Sequence, residues 1–257
     1  MRAVIRYFLP LVMFLLPAQQ VLAQTIVNVG AYNFPPYIIQ AESENPSGLL
    51  IDLLEMLNQQ QTDFRFVLVP TSVTRRYQDM ASGRFDLIPF ESADWGWRDQ
   101  PHQSIDMGVS DADVYVAKAQ PGRDQRYFDS FADKRLALYA GFHYSFAGFN
   151  ADRDVMRQRY QADFSYSHES NLLRVLFDRS DITVVSQSYL DTFIEQNPKS
   201  AEQFLVSTKQ DQVYHHQILL RPGAPISPDQ LRALRSQLHE SGQLDALLQR
   251  YHLHLEN

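Results

Sequence analysis

The sequence predicts an α/β protein of two units followed by a helical C-terminal tail. Short apolar runs with strand character alternate with longer segments whose apolar residues recur at helical spacing. The alternation restarts at DVYVAK (113–118), and neither an internal repeat nor a low-complexity linker interrupts it. Strands that alternate with helices favour a parallel sheet with helices on both faces.

The first unit follows the order β-α-β-α-β. Its strands are predicted at 25–32, 64–70 and 84–90, and its helices at 48–61 and 71–83. We expect Ser72 or Thr74 to cap the second helix, and Gly83 to end it, because these residue types are favoured at those positions.

The second unit repeats this alternation. Its strands are predicted at 113–118, at the end of 128–141, at 163–167 and at 181–187, and its helices within 143–161 and at 169–180 and 188–197. A strand at 213–222 returns from this unit. The tail is predicted as two helices broken near Gly242, with Ser227 as the cap of the first and Pro228 in its first turn. Two such units indicate two lobes, and a cleft between lobes is a common place for a small ligand.

The first residues have the pattern of a cleaved secretory signal, predicted over 1–23. Arg2 and Arg6 form a positive start, and the apolar core from Tyr7 to Pro17 is too short to span a bilayer. Small residues precede Gln24, and no Cys stands there to carry a lipid anchor. We therefore expect a mature chain of 24–257 in a bacterial periplasm, without membrane insertion after cleavage.

Charge and composition narrow the function classes. Loss of Arg2 and Arg6 changes the formal net charge from −7 to −9, and no basic run is present. An acidic chain of this kind argues against nucleic acid and anionic membrane surfaces as partners. Zero Cys, together with an export signal, predicts a fold without disulfides or a thiol nucleophile. We predict no metal and no cofactor, because the pairs His215-His216 and His252-x-His254 lack clear acidic or Cys partners at metal spacing.

The stretch VGAYNFPPYIIQ (29–40) follows the first predicted strand. Pro35 and Pro36 fix two φ angles, so the segment is predicted to be a stiff, extended loop that holds Phe34 and Tyr37. Aromatic side chains held in this way form either the wall of a ligand site or a plug over the core.

The order of several segments resembles the family 3 solute-binding proteins of bacterial ABC importers, the polar amino acid type. Arg98, twelve residues after Asp86, belongs to the same pattern. The matching segments are VNVGAYNFPPYI, GLLIDLLEMLN, ASGRFDLIPF, DKRLALYAGF, LFDRSDITVVSQSYL and LHESGQLDALLQRYH, which together span nearly the whole mature chain.

The resemblance implies a type II periplasmic-binding-protein fold with two crossover strands. Lobe 1 would hold 24–110 and 215–257, lobe 2 would hold 111–214, and ligand binding would close them by a hinge. It implies a monomer, not an enzyme, that captures a small polar, carboxylate-bearing ligand and meets a membrane permease. Two alternatives stay open, namely a sensory module for a membrane receptor and a dehydratase-like enzyme with an acid/base pair in the cleft.

In lobe 1 the resemblance implies that Phe34 packs on the ligand and that Arg98 clamps its carboxylate, for which a planar guanidinium is suited. Trp95 stands where the family has Thr, and the alternative for Arg98 is a surface position. Phe90 would add apolar surface. Glu91 would accept a cationic group or lie on the surface.

Two neighbouring basic residues, Arg75 and Arg76, lie on the helix whose start faces the cleft in the family. Our preferred interpretation places both on a solvated helix face. The alternative is that one of them reaches a second anionic group of the ligand.

In lobe 2 the loop after Gly141 would offer a helix N-terminus to an anion, with Phe142 and His143 making it bulkier. Ser186 stands five residues after Asp181, where the family has the Asp that takes the ligand ammonium. Ala31 likewise replaces a common acidic residue. Because an unpaired buried ammonium is unfavourable, either Glu91 substitutes or the ligand is not a simple α-amino acid.

Overall fold

The computed structural model describes residues 23–256, so the predicted signal segment, apart from Ala23, lies outside the described residues. The strands are β1 Thr25–Ala31, β2 Phe64–Pro70, β3 Leu87–Glu91, β4 Gln103–Lys118, β5 Leu136–Tyr139, β6 Ala162–Ser165, β7 Ile182–Ser186 and β8 Phe204–Leu220. The helices are α1 Leu49–Gln60, α2 Arg76–Ala81, α3 Arg153–Tyr160, α4 His168–Leu176, α5 Gln187–Gln196, α6 Pro228–Glu240 and α7 Gln243–Gln249. Short 3₁₀ turns lie at Gln125–Phe128, Ser145–Ala147 and Pro198–Gln203.

The strands form one mixed sheet in the order β2-β1-β3-β8-β4-β7-β5-β6. At one end β1 pairs in parallel with β2 and β3, and at the other end β5 pairs in parallel with β6 and β7. Parallel neighbours need a crossover connection, which α1, α2, α3 and α4 provide between successive strands. The predicted α/β fold class is therefore confirmed.

Two long antiparallel strands join these two groups. β4 pairs with β8 from Gln103 opposite Leu220 to Lys118 opposite Phe204. One end of this ribbon borders β3, where Leu87 lies opposite Leu220, and the other borders β7, where Asp113 lies opposite Ser186. The sequence pattern predicted only parts of each strand, because the N-terminal part of β4 mixes polar and apolar residues without a clear strand signal.

The buried apolar residues separate along the same line. The largest cluster draws its buried members from 27–109 and 214–253, whereas the other two draw theirs from 114–204. We call the part of the molecule built on β1, β2 and β3 the first half, and the part built on β5, β6 and β7 the second half. Each half therefore has its own core.

The C-terminal tail has the predicted construction. Ser227 and Gln230 form a capping box at the start of α6, Pro228 lies in its first turn, and Gly242, with φ of +74°, separates α6 from α7. α2 is shorter than predicted, because Ser72 Oγ accepts a hydrogen bond from Arg75 N and the chain forms a turn before the helix begins. No helix among residues 23–256 is both long enough and apolar enough to cross a bilayer.

Candidate functional site

A small cavity lies where the two halves meet the long strands. The first half contributes Tyr32, Phe34, Val73, Arg76 and Trp95, the second half contributes Gly141, Phe142 and His143, and the long strands contribute Asp113, Gln212 and Tyr214. Its volume is about 20 Å³, which is room for about one water. The side chains therefore nearly fill a closed cleft.

A wider space, which we call the mouth, lies beside this cavity and shares Tyr32 and Val73 with it. Its volume is about 360 Å³, and Thr71 and Tyr139 border it from opposite halves. The Tyr139 hydroxyl donates to the Asn33 carbonyl across the cleft at 3.3 Å. The inner cavity and the mouth both lie between the halves, and closing contacts separate them.

The Phe34 ring closes the inner cavity from the first half. Backbone hydrogen bonds of 2.9 and 3.0 Å between Phe34 and Ile38 tighten the loop around the cis peptide of Pro36. The ring centroid of Phe34 lies 5.8 Å from that of Trp95 and 5.4 Å from that of Phe142 in the other half. Phe34 is thus both a cleft wall and a plug in this closed arrangement, and its contact with a ligand remains a prediction.

Arg76 is buried, with a side chain only 1% exposed, so the interpretation of a solvated helix face is wrong for this residue. Its Nε lies 3.0 Å from Glu91 Oε1, and its Nη2 donates to the Trp95 carbonyl at 3.3 Å. The guanidinium carbon lies 4.8 Å from the ring centroid of Tyr32 and 4.5 Å from that of Tyr77. An aromatic cage and one carboxylate therefore hold the only arginine of the cavity wall.

Glu91 does not border the cavity. Its Oε1 faces Arg76, and its Oε2 accepts a hydrogen bond from Trp97 Nε1 at 2.7 Å. Burial raises the pKa of Glu91, and the nearby Arg76 charge opposes that rise. The sequence left two roles open for Glu91, a surface position or the binding of a cationic ligand group. The structure shows neither, because Glu91 is buried and pairs with Arg76.

Arg98 does not reach the cleft. Its side chain is 78% exposed and pairs with Asp94, four residues earlier in the same turn. The turn around it buries Trp95 and Trp97 instead, and these two rings anchor the segment so that Arg98 points to solvent. The position predicted for a carboxylate clamp is thus occupied by a surface ion pair, as in the alternative interpretation.

Phe90 lies behind the cavity wall and does not line the cavity. It is buried, its ring stacks on that of Tyr37 at 4.7 Å, and it lies 5.3 Å from the ring of His216. Burial lowers the pKa of His216 to about 3, so this imidazole is neutral at the centre of an aromatic cluster. Phe90 therefore supports Phe34 through Tyr37 and does not face the cavity.

The loop after Gly141 lines the cavity from the second half, as predicted. Gly141 has φ of +85°, and a Cβ there would lie 2.6 Å from Val73 Cγ1, so the halves are in tight contact at this point. The expected helix start is a 3₁₀ turn, whose Ser145 and Phe146 amides donate to Asp211 at 2.8 and 2.9 Å. These amides are already paired, so the predicted anion site at this place is wrong.

His143 borders the cavity and is partly buried. Burial lowers its pKa to about 4, and the Arg76 charge acts in the same direction. The imidazole is therefore neutral near pH 7, and it adds a polar but uncharged group to the wall.

Ser186 is buried at the end of β7, at the N-cap position of α5, and does not line the cavity. Among residues 23–256 its Oγ has no hydrogen-bond partner. The residue opposite it in the sheet is Asp113 of β4, which does line the cavity. An acidic group thus borders the cleft one strand away from the position where the sequence resemblance expected it.

Asp113 is the one acidic residue among the cavity residues that the sequence analysis missed, which also include Tyr32, Val73, Gln212 and Tyr214. Its Oδ2 accepts from Gln212 Nε2 at 2.7 Å, and its Oδ1 accepts from the Tyr214 hydroxyl at 3.4 Å. Burial raises its pKa to about 8; the Gln212 hydrogen bond opposes this, and the charges of Asp211 and Asp111 add to it. Two aspartates in the otherwise apolar run DADVYVA were the available signal for a buried acid.

Comparison with known proteins agrees with this architecture. A family model for bacterial extracellular solute-binding proteins, family 3, matches residues 26–254. No curated protein matches the chain.

Solved structures share the fold at low sequence identity. A substrate-binding protein of an ABC uptake transporter from Streptococcus pneumoniae, solved with bound histidine, has a TM-score of 0.68 and 17% identity over 88% of this chain and 92% of that chain. The GluR0 ligand-binding core from Nostoc punctiforme, in complex with L-glutamate, has a TM-score of 0.66 and 15% identity over 88% of this chain and 98% of that chain. The ancestral amino acid-binding protein AncCDT-1, a precursor of cyclohexadienyl dehydratase, has a TM-score of 0.63 and 15% identity over 88% of this chain and 94% of that chain.

These identities support the fold alone, whereas the family match spans nearly all of the described residues. The structure and the family match together confirm the type II periplasmic-binding fold and the family resemblance. The chain belongs to the bacterial extracellular solute-binding proteins of family 3.

Proposed function

We propose that this protein is a periplasmic receptor that captures a small, amino-acid-like solute in the cleft and delivers it to an ABC importer. The observation that carries this proposal is a cavity bordered by both halves and by both of the strands that join them. A ligand at such a place contacts both halves at once, and its binding energy can drive their closure. Lobe 1 would be 24–110 with 215–257, and lobe 2 would be 111–214.

The cavity is too small for an amino acid as it stands, so capture requires the cleft to open. The contacts that hold it closed include the Tyr139–Asn33 hydrogen bond, the Phe34–Phe142 ring pair and the Val73–Gly141 contact. Separation of these pairs would join the inner cavity to its mouth and expose Phe34, Trp95 and Phe142 to a ligand. The aromatic wall would then cover the apolar part of the solute.

Arg76 takes the role that the sequence analysis gave to Arg98. It borders the cavity, and its two terminal nitrogens carry four N–H groups, of which the Val73 and Trp95 carbonyls accept two. The remaining N–H groups would bind a ligand carboxylate. Because Glu91 already neutralises the guanidinium, we expect this contact to orient the ligand more than to attract it.

A thermal-shift screen tests the proposal on the mature chain 24–257, refolded to remove carried-over ligand. The panel holds L-amino acids, amines, carboxylic acids, short peptides and sugars. A ligand at 100 times its dissociation constant adds about 2.7 kcal/mol, and we expect the melting temperature to rise by several degrees with one class. Phe34→Ala should abolish the shift, whereas Phe177→Ala, at an exposed aromatic residue, should retain it.

Two further measurements distinguish a transport receptor from an enzyme and from a protein without a role in uptake. The bound compound should be recovered unchanged after long incubation, since turnover would indicate an enzyme. Cells that lack the protein should lose high-affinity uptake of the labelled compound. A screen without any shift would contradict the proposal.

A further inference from the structure

We infer that Asp113 is the ligand's cation partner, so that the cleft selects a solute with a positively charged nitrogen. The inference rests on the proposed function and names the chemistry of its ligand. It begins with three acids, Asp111, Asp113 and Asp211, which lie on the two long strands that join the halves.

Two of these acids have enough protein partners. Asp111 accepts hydrogen bonds from Tyr37 Oη and Ser188 Oγ, both at 2.6 Å, and from the amides of Ala112 and Ser188. Asp211 accepts from Tyr115 Oη at 2.6 Å and from the amides of Ser145 and Phe146. Both carboxylates therefore hold the local structure together, and neither borders the cavity.

Asp113 differs from both. It accepts one short hydrogen bond, from Gln212, and one long bond, from Tyr214, although a carboxylate offers about four acceptor sites. Within residues 23–256 it takes part in no ion pair, and it is only 6% exposed. A buried carboxylate without a cation is unfavourable, so Asp113 retains a proton unless a cationic partner arrives from outside the chain.

The surroundings of Asp113 favour a cation. Gln212 is fixed by Trp95 Nε1, which donates to its Oε1 at 3.2 Å, so its amide nitrogen is directed toward Asp113 and the His143 carbonyl. The rings of Trp95 and Tyr214 lie 4.9 Å apart beside this group. Both rings line the cavity together with Asp113, and aromatic rings beside a carboxylate suit an ammonium group.

Protonation is coupled to this site. The ionisable groups nearest to Asp113 in the sheet are Asp111 on its own strand and Asp211 and Tyr214 on the paired strand, while β7 presents Ser186. Arg76 and His143 line the same cavity from the two halves. Arg76 is paired with Glu91, and burial lowers the pKa of His143 so that it is neutral near pH 7. Neither of them forms an ion pair with Asp113 within the described part of the chain. The raised pKa keeps the carboxyl protonated at pH 7 in the closed cleft, and a bound ammonium would release that proton.

Two sets of matched probes test the inference by titration calorimetry on the mature chain. One set is L-glutamine, 4-aminobutanamide and 4-carbamoylbutanoate, and the other is L-phenylalanine, 2-phenylethylamine and 3-phenylpropanoate. Each set removes first the carboxylate and then the ammonium from one skeleton. We expect the parent protein to bind the amine-bearing members of one set and to bind the amine-free acid at least about tenfold more weakly.

The variant Asp113→Asn should lower the affinity for the amine-bearing probes by about tenfold or more and leave the amine-free acid unaffected. Glu202→Gln, which removes one exposed negative charge, is the control and should change affinity less than about twofold. Thermal unfolding of each variant verifies that it is folded.

Equal binding of the amine-free acid, or unchanged affinity in Asp113→Asn, would overturn the inference while the binding function stands. If the parent protein binds no member of either set and the screen finds no ligand, the proposed function fails and the inference fails with it.

Discussion

Two buried ionisable groups border the same cavity, and they differ in whether the protein supplies an opposite charge. Arg76 has Glu91 at 3.0 Å and a cage of tyrosine rings. Asp113 has an amide, a distant hydroxyl and no cation among residues 23–256. An ion pair within the protein stabilises the cavity wall, whereas the Asp113 carboxyl keeps its proton at pH 7 in the closed cleft and ionises when a cationic ligand binds. The difference points to Asp113 as the group that selects the ligand and to Arg76 as one that orients it.

The largest effect should come from breaking the neutralised site. Arg76→Met leaves Glu91 buried without a partner, and we expect the free energy of unfolding to fall by about 3–5 kcal/mol. The double variant Arg76→Met/Glu91→Leu should recover most of that loss, because no lone charge remains. Urea unfolding of the two single variants and the double variant gives the cycle. A loss below about 1 kcal/mol in Arg76→Met would show that the pair is not a structural element.

The second effect should come from removing the unpaired charge. The ordinary pKa of Asp is 3.8, and the pKa of folded Asp113 is about 8, so between these values the unfolded chain ionises while the folded chain retains the proton. The parent protein therefore loses stability as pH rises from 4 to 8, by up to about 1.4 kcal/mol per pH unit from this group.

Asp113→Asn has no such group. The two proteins should therefore have nearly equal free energies of unfolding at pH 4, and the variant should become increasingly more stable than the parent as pH rises to 8. Urea unfolding at several pH values measures the difference. A difference independent of pH would contradict the assignment of an unpaired, buried carboxyl.

The third effect concerns how tightly the halves meet. Gly141→Ala places a Cβ 2.6 Å from Val73 Cγ1 at a residue with φ of +85°, and we expect about 1–3 kcal/mol of destabilisation or a cleft that stays open. Adding Val73→Ala should restore the closed form. Small-angle scattering reports the opening as an increase in radius of gyration, and equal scattering of Gly141→Ala and the parent would contradict the contact.

The smallest effect should come from the residue that the sequence placed in the cleft. Arg98→Ala removes an exposed ion pair with Asp94, and it should change stability by no more than about 0.5 kcal/mol and leave ligand affinity intact. Calorimetry beside Arg76→Met makes the comparison. Loss of binding in Arg98→Ala alone would return the clamp to its predicted position.

The fold was largely readable because apolar runs and helical spacing are local signals. β1, β2, β3 and the two tail helices lie where the pattern placed them, and the Ser227 cap has the expected partner. The long strands were only partly readable. The N-terminal part of β4 forms a strand because it pairs with β8, more than a hundred residues later in the chain. No local sequence pattern indicates that partner.

Site residues could be predicted from the sequence where the type of side chain suggests a role. They could not be predicted where the role depends on the direction in which the side chain points. Phe34, Trp95, Phe142 and His143 were named from the sequence, and the structure brings them to one cavity, although their contact with a ligand is still a prediction. Arg98 points outward because Trp95 and Trp97 fill the inside of the same turn. Asp113 points inward because of its register in β4, which follows from distant pairing.

The most direct test of the unpaired charge is the number of protons released when an amine-bearing probe binds. Calorimetry at pH 7 in two buffers with different ionisation enthalpies gives this number. Because the pKa of Asp113 is about 8 in the closed cleft, the parent protein should release close to one proton per ligand, and Asp113→Asn should release none. No release from the parent, or equal release from both proteins, would contradict the assignment of Asp113 as the ligand's cation partner.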